Sequence, residues 1–317
     1  MASAGDPLGN IWEHAMSMDL MVDERPLSVA VVVASLGRPE LITQMSGLMA
    51  GQTRQPDILL FSIVSEADIP ADFVPGENCQ VIMGPKGLTR QRNNALNALG
   101  NDYDIIVFYD DDFIPARGSL AAIEQFFRSH PDVVGASGNV VADGINTAGI
   151  SYEEGLEILA NFEAKNFAPN CVVAPLHGLY GCNMAYRVSA IGETRFDERL
   201  PLYAWQEDID FAASLKDRGR LVRTFAFAGV HQGVKHGRTP GVRLGYSQII
   251  NPAYLMKKGT MRPGFAAKLI VRNVIANHLK ALSPEPWVDR AGRAKGNWIG
   301  LLDLIRGRLT PERIESL

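Results

Sequence analysis

The chain is short of the features that mark special environments. Its 317 residues include three cysteines, Cys79, Cys171 and Cys182. An odd number at wide spacing fits neither a zinc pattern nor a disulfide framework. Buried free thiols in a reducing cytoplasm are the expectation. No apolar run reaches the roughly eighteen residues a membrane-spanning helix needs, so none is expected. The N-terminal segment carries Asp6, Glu13, Asp19, Asp23 and Glu24 without a basic run, which does not fit a secretory signal. There is no repeat of fixed period and no G-x-x-x-x-G-K-[ST] phosphate loop.

Net charge is also small, but it is unevenly spread. Basic residues number 31 and acidic ones 35, for a net of −4. Residues 254–317 hold 12 basic and 5 acidic side chains, a net of +7, and the preceding 253 residues hold 19 and 30, a net of −11. A basic region of this kind suits an anionic membrane surface or nucleic acid. The acidic body and the lack of any nucleic-acid module disfavour nucleic acid. Hydrophobic residues at 46% and charged ones at 21% place the chain among folded proteins with a sizeable core.

The apolar pattern alternates between strand and helix. L-S-V-A-V-V-V-A at 27–34 suits a parallel strand buried on both faces. Gly37 and Pro39 break it and open a helix over 40–50. Strands are expected at 58–64, 80–83 and 105–109. Between the last two, Thr89 is expected to cap a helix ending at Gly100. A helix over 119–127 presents Leu120, Ile123 and Phe127 on one face. Beyond it the spacing predicts extended chain at 133–141, a helix at 152–163, a strand around Ala185 and Tyr186, a helix at 206–218 and a strand at 221–228. An amphipathic basic helix is expected at 264–282. Its apolar positions Leu269, Ile270, Val274, Ile275 and Leu279 are flanked by Lys268, Arg272 and Lys280, with Trp287 and Trp298 following. It suits either packing on the body or a seat on anionic lipid. Loops are further expected around 143–180 and 236–262. The β-α-β-α rhythm argues for a layered α/β fold, whose ligands bind beyond the carboxyl ends of the strands.

Four segments carry chemistry. Asp110-Asp111-Asp112 follows an apolar strand directly. Three adjacent carboxylates repel one another, and a hard divalent cation such as Mg²⁺ or Mn²⁺ resolves the conflict. A solvated acidic turn is the plain alternative. In W-Q-E-D-I-D-F, Asp208 stands at a helix start, where the dipole favours it. It suits a general base, with Trp205 offering a flat face to a sugar ring. An N-terminal helix acid beside a core tryptophan is the alternative. In H-Q-G-V-K-H-G-R, His231 or His236 suits a metal shell and Lys235 or Arg238 a phosphate. The fourth segment, G-P-K-G-L-T-R-Q-R-N-N, leads a glycine loop into a helix start carrying Arg90 and Arg92.

In this order, and over about residues 28–236, V-A-V-V-V-A-S-L-G-R, G-L-T-R-Q-R-N-N-A, Y-D-D-D-F, G-C-N-M-A-Y-R, W-Q-E-D-I-D-F and a later His resemble the family 2 glycosyltransferases of GT-A fold. The likeness is to bacterial exopolysaccharide enzymes. It implies a Rossmann-like mixed sheet flanked by helices: an N-terminal extension (1–26), a catalytic domain (27–250, with a nucleotide-binding half to 130) and a basic helical C-terminal region (251–317). It implies that Asp110 approaches the ribose or metal, Asp112 binds Mn²⁺ or Mg²⁺, and Asp111 fills the middle place. Ser35, Arg38, Arg92 and Asn93 match positions near the nucleotide. His231 matches the late histidine near the metal, with His236 a rival. After the second strand, Ser65, Glu66 and Asp68 all compete for the base-recognising place, with Ser65 carried as the binding candidate. Trp205, Glu207, Gly181 and Asn183 fall on the acceptor side, and Asp208 is the implied base. The implied activity is inverting transfer from a nucleoside diphosphate sugar, UDP by default, to a glycan acceptor on polyprenyl diphosphate. The implied place is the cytoplasmic side of the plasma membrane, as a peripheral protein. A sugar-1-phosphate nucleotidyltransferase and a non-catalytic sugar- or nucleotide-binding protein are the competing readings.

Overall fold

The computed structural model describes residues 25–165, 172–236 and 239–317. Most of the expected N-terminal extension, with Cys171 and Arg238, lies outside the described residues. The described strands form one sheet: β1 (Val29–Ala34), β2 (Ile58–Ile63), β3 (Cys79–Met83), β4 (Ile105–Asp110), β5 (Phe113–Pro115), β6 (Val133–Asp143), β7 (Val172–Pro175), β8 (Asn183–Arg187) and β9 (Arg220–His231). The helices are α1 (Pro39–Ala50), α2 (Leu88–Leu99), α3 (Ser119–Ser129), α4 (Tyr152–Glu163), α5 (Val188–Ile191), α6 (Glu207–Ser214), α7 (Gly241–Lys258), α8 (Pro263–Lys280) and α9 (Arg290–Ile305).

The sheet order is β3-β2-β1-β4-β8-β6-β9-β5, with β7 on β9. β1 pairs in parallel with β2 and β4, and β2 with β3. β8 is antiparallel to both β4 and β6. The unbroken apolar run of β1 follows from its central place. Val29, Val31 and Val33 pack with Ile42, Met45 and Met49 of α1 and with Leu120 and Phe127 of α3. Ala30 and Val32 face the opposite layer, against Leu96 and Leu99 of α2 and Phe211 of α6. Burying both faces of such a strand is what requires the β-branched run.

Several local expectations shift. Thr89 does not cap α2: Gly87 holds that place at φ 128°, and the Thr89 hydroxyl donates to the Leu200 carbonyl at 3.0 Å. α6 starts one residue late, because Gln206 is left-handed at φ 76°, and it stops at Ser214. β9 runs on to His231, three residues past its expected end. The stretch 236–262 is not all loop, since it contains the whole of α7, and the expected boundary at 250 falls inside that helix.

Residues 241–305 fold as three packed helices. α7 and α9 approach closely through glycine: a Cβ at Gly245 would lie 2.1 Å from the Arg293 carbonyl oxygen, and one at Gly296 2.1 Å from that of Val242. A buried amide network ties all three helices. Asn277 Nδ2 donates to Gln248 Oε1 at 2.7 Å and Asn297 Oδ1 at 2.9 Å, and Asn297 Nδ2 donates to the Gly245 carbonyl at 2.7 Å. The inner face of the unit, Leu255, Met261, Ala266 and Leu269, packs on Leu200 and Ala204, with Trp205 and Ile209 at the edge. No described helix is long and apolar enough to cross a membrane.

Candidate active site

Three strand ends build the site. β4 ends in Asp110, β6 in Asp143 and β9 in His231. Register places Asp143 and Phe113 both beside His231. One ligand atom each from Asp110, Asp112 and His231 can be chosen so that all lie within 4.8 Å of one another. Two carboxylates and an imidazole, converging at that range, fit a divalent cation such as Mn²⁺ or Mg²⁺. His236 stands elsewhere: its Nε2 meets Glu40 at 2.9 Å on the surface.

His231 is held from both sides. Its Nδ1 lies 2.9 Å from Asp143 Oδ1 and its Nε2 3.3 Å from Asp112 Oδ1. Tyr180 donates its hydroxyl to Asp143 Oδ2 at 2.8 Å. Burial alone would lower the His231 pKa, but the bonds to Asp112 and Asp143 outweigh it and push it up to about 10. The same bonds hold Asp112 and Asp143 below the usual carboxylate range against their own burial. Carboxylate–histidine pairing of this kind fixes a ring for a metal. Asp112 is further set by the Val234 amide, which donates to Oδ2 at 2.8 Å. Gly233 makes that turn possible: its φ is 65°, and a Cβ there would meet the Gly144 carbonyl carbon at 2.3 Å.

Asp111 faces the β1 loop. Its Oδ2 accepts from Ser35 Oγ at 2.7 Å and its Oδ1 from Arg38 Nη1 at 2.9 Å. Burial raises its pKa to about 6, with Arg38 opposing. Gln91 ties the same loop to β2, donating to the Ser35 and Ser62 carbonyls at 2.9 and 2.8 Å. Ser65 and Asp68 form the next turn, where Asp68 accepts from the amides of Gly37, Val64 and Ser65. Asp68 is 3% exposed and spends its carboxylate on this backbone, while Glu66 is exposed.

Arg92 joins Asp110 to the segment of Glu207 and Asp208. It is fully buried and donates to Asp110 Oδ1 at 3.0 Å, Glu207 Oε1 at 2.5 Å and the Gly181 carbonyl at 3.1 Å. Burial disfavours its charge, but Glu207, Asp110 and Asp208 outweigh that and keep it protonated. Glu207 is pushed up to about 8 by burial despite Arg92, and its Oε2 is buried without a partner. Asp208 Oδ2 accepts from the Gly181 amide and Oδ1 from the Ile209 amide, both at 2.8 Å. Its pKa rises because burial exceeds the help of those two amides. The peptide before it is strained: Leu202, Ala204 and Gln206 all have positive φ, at 59°, 53° and 76°. Each such non-glycine residue costs of order 1 kcal/mol or more.

The remaining sequence candidates lie outside the Asp110, Asp112 and His231 cluster. Asn93 spends its amide on Phe196 and Glu198. Asn183 is 1% exposed, with neither amide atom partnered. Arg90 of the basic helix start leans toward Glu198 and Glu315. Lys235 donates to the Gly144 and Ile145 carbonyls. Trp205 is half-buried against the α7–α8 core, and its carbonyl accepts from Asn251 at 2.9 Å. Asp143 and Tyr180 were absent from the sequence candidates. Each is an isolated residue in an unremarkable segment: the β6–β9 register brings Asp143 to His231, and Tyr180, just before β8, joins it through its hydroxyl bond to Asp143.

Neither a family model nor a curated protein matches this sequence. Solved structures do match its fold. The S. aureus TarS fragment 1–349 in complex with UDP-GlcNAc is 14% identical, with TM-score 0.52 over 92% of this chain and 84% of that one. The mannosyltransferase PcManGT from Pyrobaculum calidifontis, in complex with GDP-Man and Mn²⁺, is 15% identical, with TM-score 0.51 over 92% and 85%. GalNAc-T7 with UDP, GalNAc and Mn²⁺ gives 12% and 0.49, and this chain spans 60% of its length. The mixed sheet flanked by helices is thus a GT-A fold like that of the TarS fragment and PcManGT, and a helical C-terminal region follows the sheet.

Proposed function

We propose that this protein is a metal-dependent inverting glycosyltransferase of the family 2 type, moving a sugar from a nucleoside diphosphate sugar to a glycan acceptor. One observation carries the reading: Asp110, Asp112 and His231 converge on one point, and Arg92 links that cluster to the segment of Asp208. UDP is the nucleotide favoured by the sequence likeness. A lipid-linked acceptor at the cytoplasmic membrane face, in bacterial polysaccharide synthesis, suits the basic C-terminal region.

Asp110, Asp112 and His231 would hold Mn²⁺ or Mg²⁺, with Asp143 and Tyr180 fixing the imidazole. The ion, when bound, neutralises charge developing on the departing diphosphate. Asp208 does the proton chemistry. Its two oxygens are fixed by the Gly181 and Ile209 amides, and its raised pKa suits proton uptake. It takes the proton of the acceptor hydroxyl while that oxygen bonds to the anomeric carbon. The bond from that carbon to the diphosphate oxygen breaks on the opposite face, which inverts the configuration. Ser35 and Arg38, fixed by Asp111, lie where the nucleotide base and ribose arrive, and Ser65 flanks them. Glu207, Gly181 and Trp205 shape the acceptor side.

A panel of nucleotide sugars, each with Mn²⁺, identifies the donor by thermal shift and nucleotide release. Asp208→Asn should cut turnover roughly a thousandfold while leaving nucleotide affinity unchanged. Unchanged turnover in that variant sinks the assignment of the base. Pyrophosphate exchange in place of transfer would make the protein a nucleotidyltransferase.

A further inference from the structure

The C-terminal helices have a second face, opposite the one that packs on the body. On α8, Val271, Ile275 and Leu279 are 55%, 52% and 66% exposed, and Leu282 just beyond is 88% exposed. On α9, Trp298, Leu302 and Ile305 are 59%, 48% and 82% exposed. Both sets recur at three- and four-residue spacing, which puts each on one side of its helix. The two stripes adjoin, because the His278 ring meets Trp298 edge-on with centroids 5.8 Å apart. So many large apolar side chains in one exposed area mark an interaction surface rather than scattered exposure.

The rim decides the partner. Lys268 and Arg272 lie exposed among the α8 stripe, and Lys295 and Arg306 among the α9 stripe. The two acids between α8 and α9 are engaged: Glu285 bonds Lys280 and Arg290, and Asp289 caps α9. Two copies of such a face would bring like charges together, whereas an anionic lipid surface meets both the cations and the apolar stripe.

We propose that the outer face of α8 and α9 is a membrane-docking surface for anionic lipid. This deepens the reading of a lipid-linked acceptor and rests on it. Docking would set the base close to the bilayer. α8 turns Ala266 and Leu269 inward onto the segment of Leu200, Ala204 and Trp205, three residues before Asp208. The bilayer, α8 and the catalytic segment then stack in that order.

The test uses the full chain with phosphatidylcholine vesicles, with and without phosphatidylglycerol. Wild type should sediment with the anionic vesicles, and less as salt rises. The exposed-site variant Ile275→Glu/Leu279→Glu/Ile305→Glu should bind at least about tenfold more weakly. Its hydrolysis of the donor sugar in solution should match wild type, because no altered residue lies in the catalytic machinery. Equal sedimentation of wild type and variant would falsify the surface. So would a wild-type dimer that fails to bind vesicles and is split by the same substitutions, which would assign the face to a second copy. Vesicle binding needs no turnover, so an inactive protein that docks would break the glycosyltransferase reading and leave the surface standing.

Discussion

Two regions of this molecule bury polar groups, and they do so in opposite ways. At the strand ends the buried groups are charged and crowded. Asp110, Glu207 and Asp208 all act on the one guanidinium of Arg92, and Glu207 Oε2 and Arg38 Nε have no partner. Where α7, α8 and α9 meet at Gln248, Asn277 and Asn297, the buried side chains are neutral amides. Asn277 satisfies Gln248 and Asn297, accepts from Arg290 at 2.9 Å, and leaves nothing in that triad unpaired. A satisfied neutral network fixes one packing, whereas a crowded charged one with free lone pairs is poised for ligands. The difference separates a structural cluster from a functional one without reference to any relative.

Substitutions put that contrast to the test. The largest effect is expected at Arg92. Arg92→Met strands buried carboxylates and should cost about 3–5 kcal/mol in chemical denaturation. A loss well below that range would mean that water already reaches the cluster. In the amide network, Asn297→Ala leaves the Gly245 carbonyl and Asn277 short of partners, at about 2 kcal/mol. That loss should not vary with pH. A smaller effect is expected at Asp143. Asp143→Asn should weaken Mn²⁺ binding about tenfold by calorimetry, with little change in melting temperature. Unchanged affinity would leave His231 correctly set without its carboxylate partner.

The pH response is the finest test. The folded pKa of Glu207, about 8, lies above its ordinary 4.5. The folded form therefore binds more protons between those values, and stability falls as pH rises through that window. Glu207→Gln should flatten the decline between about pH 5 and 8, while Asn297→Ala should shift the curve without changing its slope. A wild-type slope that persists in Glu207→Gln would move the effect to Asp111 or His231, whose folded pKa values are also raised.

Much of the fold was legible in the sequence, for reasons tied to particular residues. The run at Val29–Ala34 is doubly buried, so it admits few alternatives. The carboxylates at 110–112 follow an apolar strand, and that order alone puts them at the carboxyl end of a strand. α7 was not legible, because Gly241, Gly245 and Pro252 read as loop. The glycines are there for close contact with α9, and Pro252 lies within the helix. Backbone at Gln206 overrode the apolar period and shortened α6. Arg92 read as a residue for the nucleotide because its motif is local. Its burial between Asp110 and Glu207 depends on partners 18 and 115 positions away. Asp143 was missed for the same reason, since strand pairing across 88 positions delivers it to His231.

The contact of Leu255, Met261, Ala266 and Leu269 with the peptide before Asp208 bears on how such a chain can change over generations. A tail joined to a catalytic body by a linker can be exchanged wholesale, and a new acceptor or location comes with it. Here the joint is interlocked: Asn251 holds the Trp205 carbonyl, and α7 runs through the point where a boundary would be drawn. A recombination event cutting there would unseat Asp208 along with the tail. New specificity on this scaffold should therefore arise by gradual substitution on the outer faces, with helices and active site inherited as one piece.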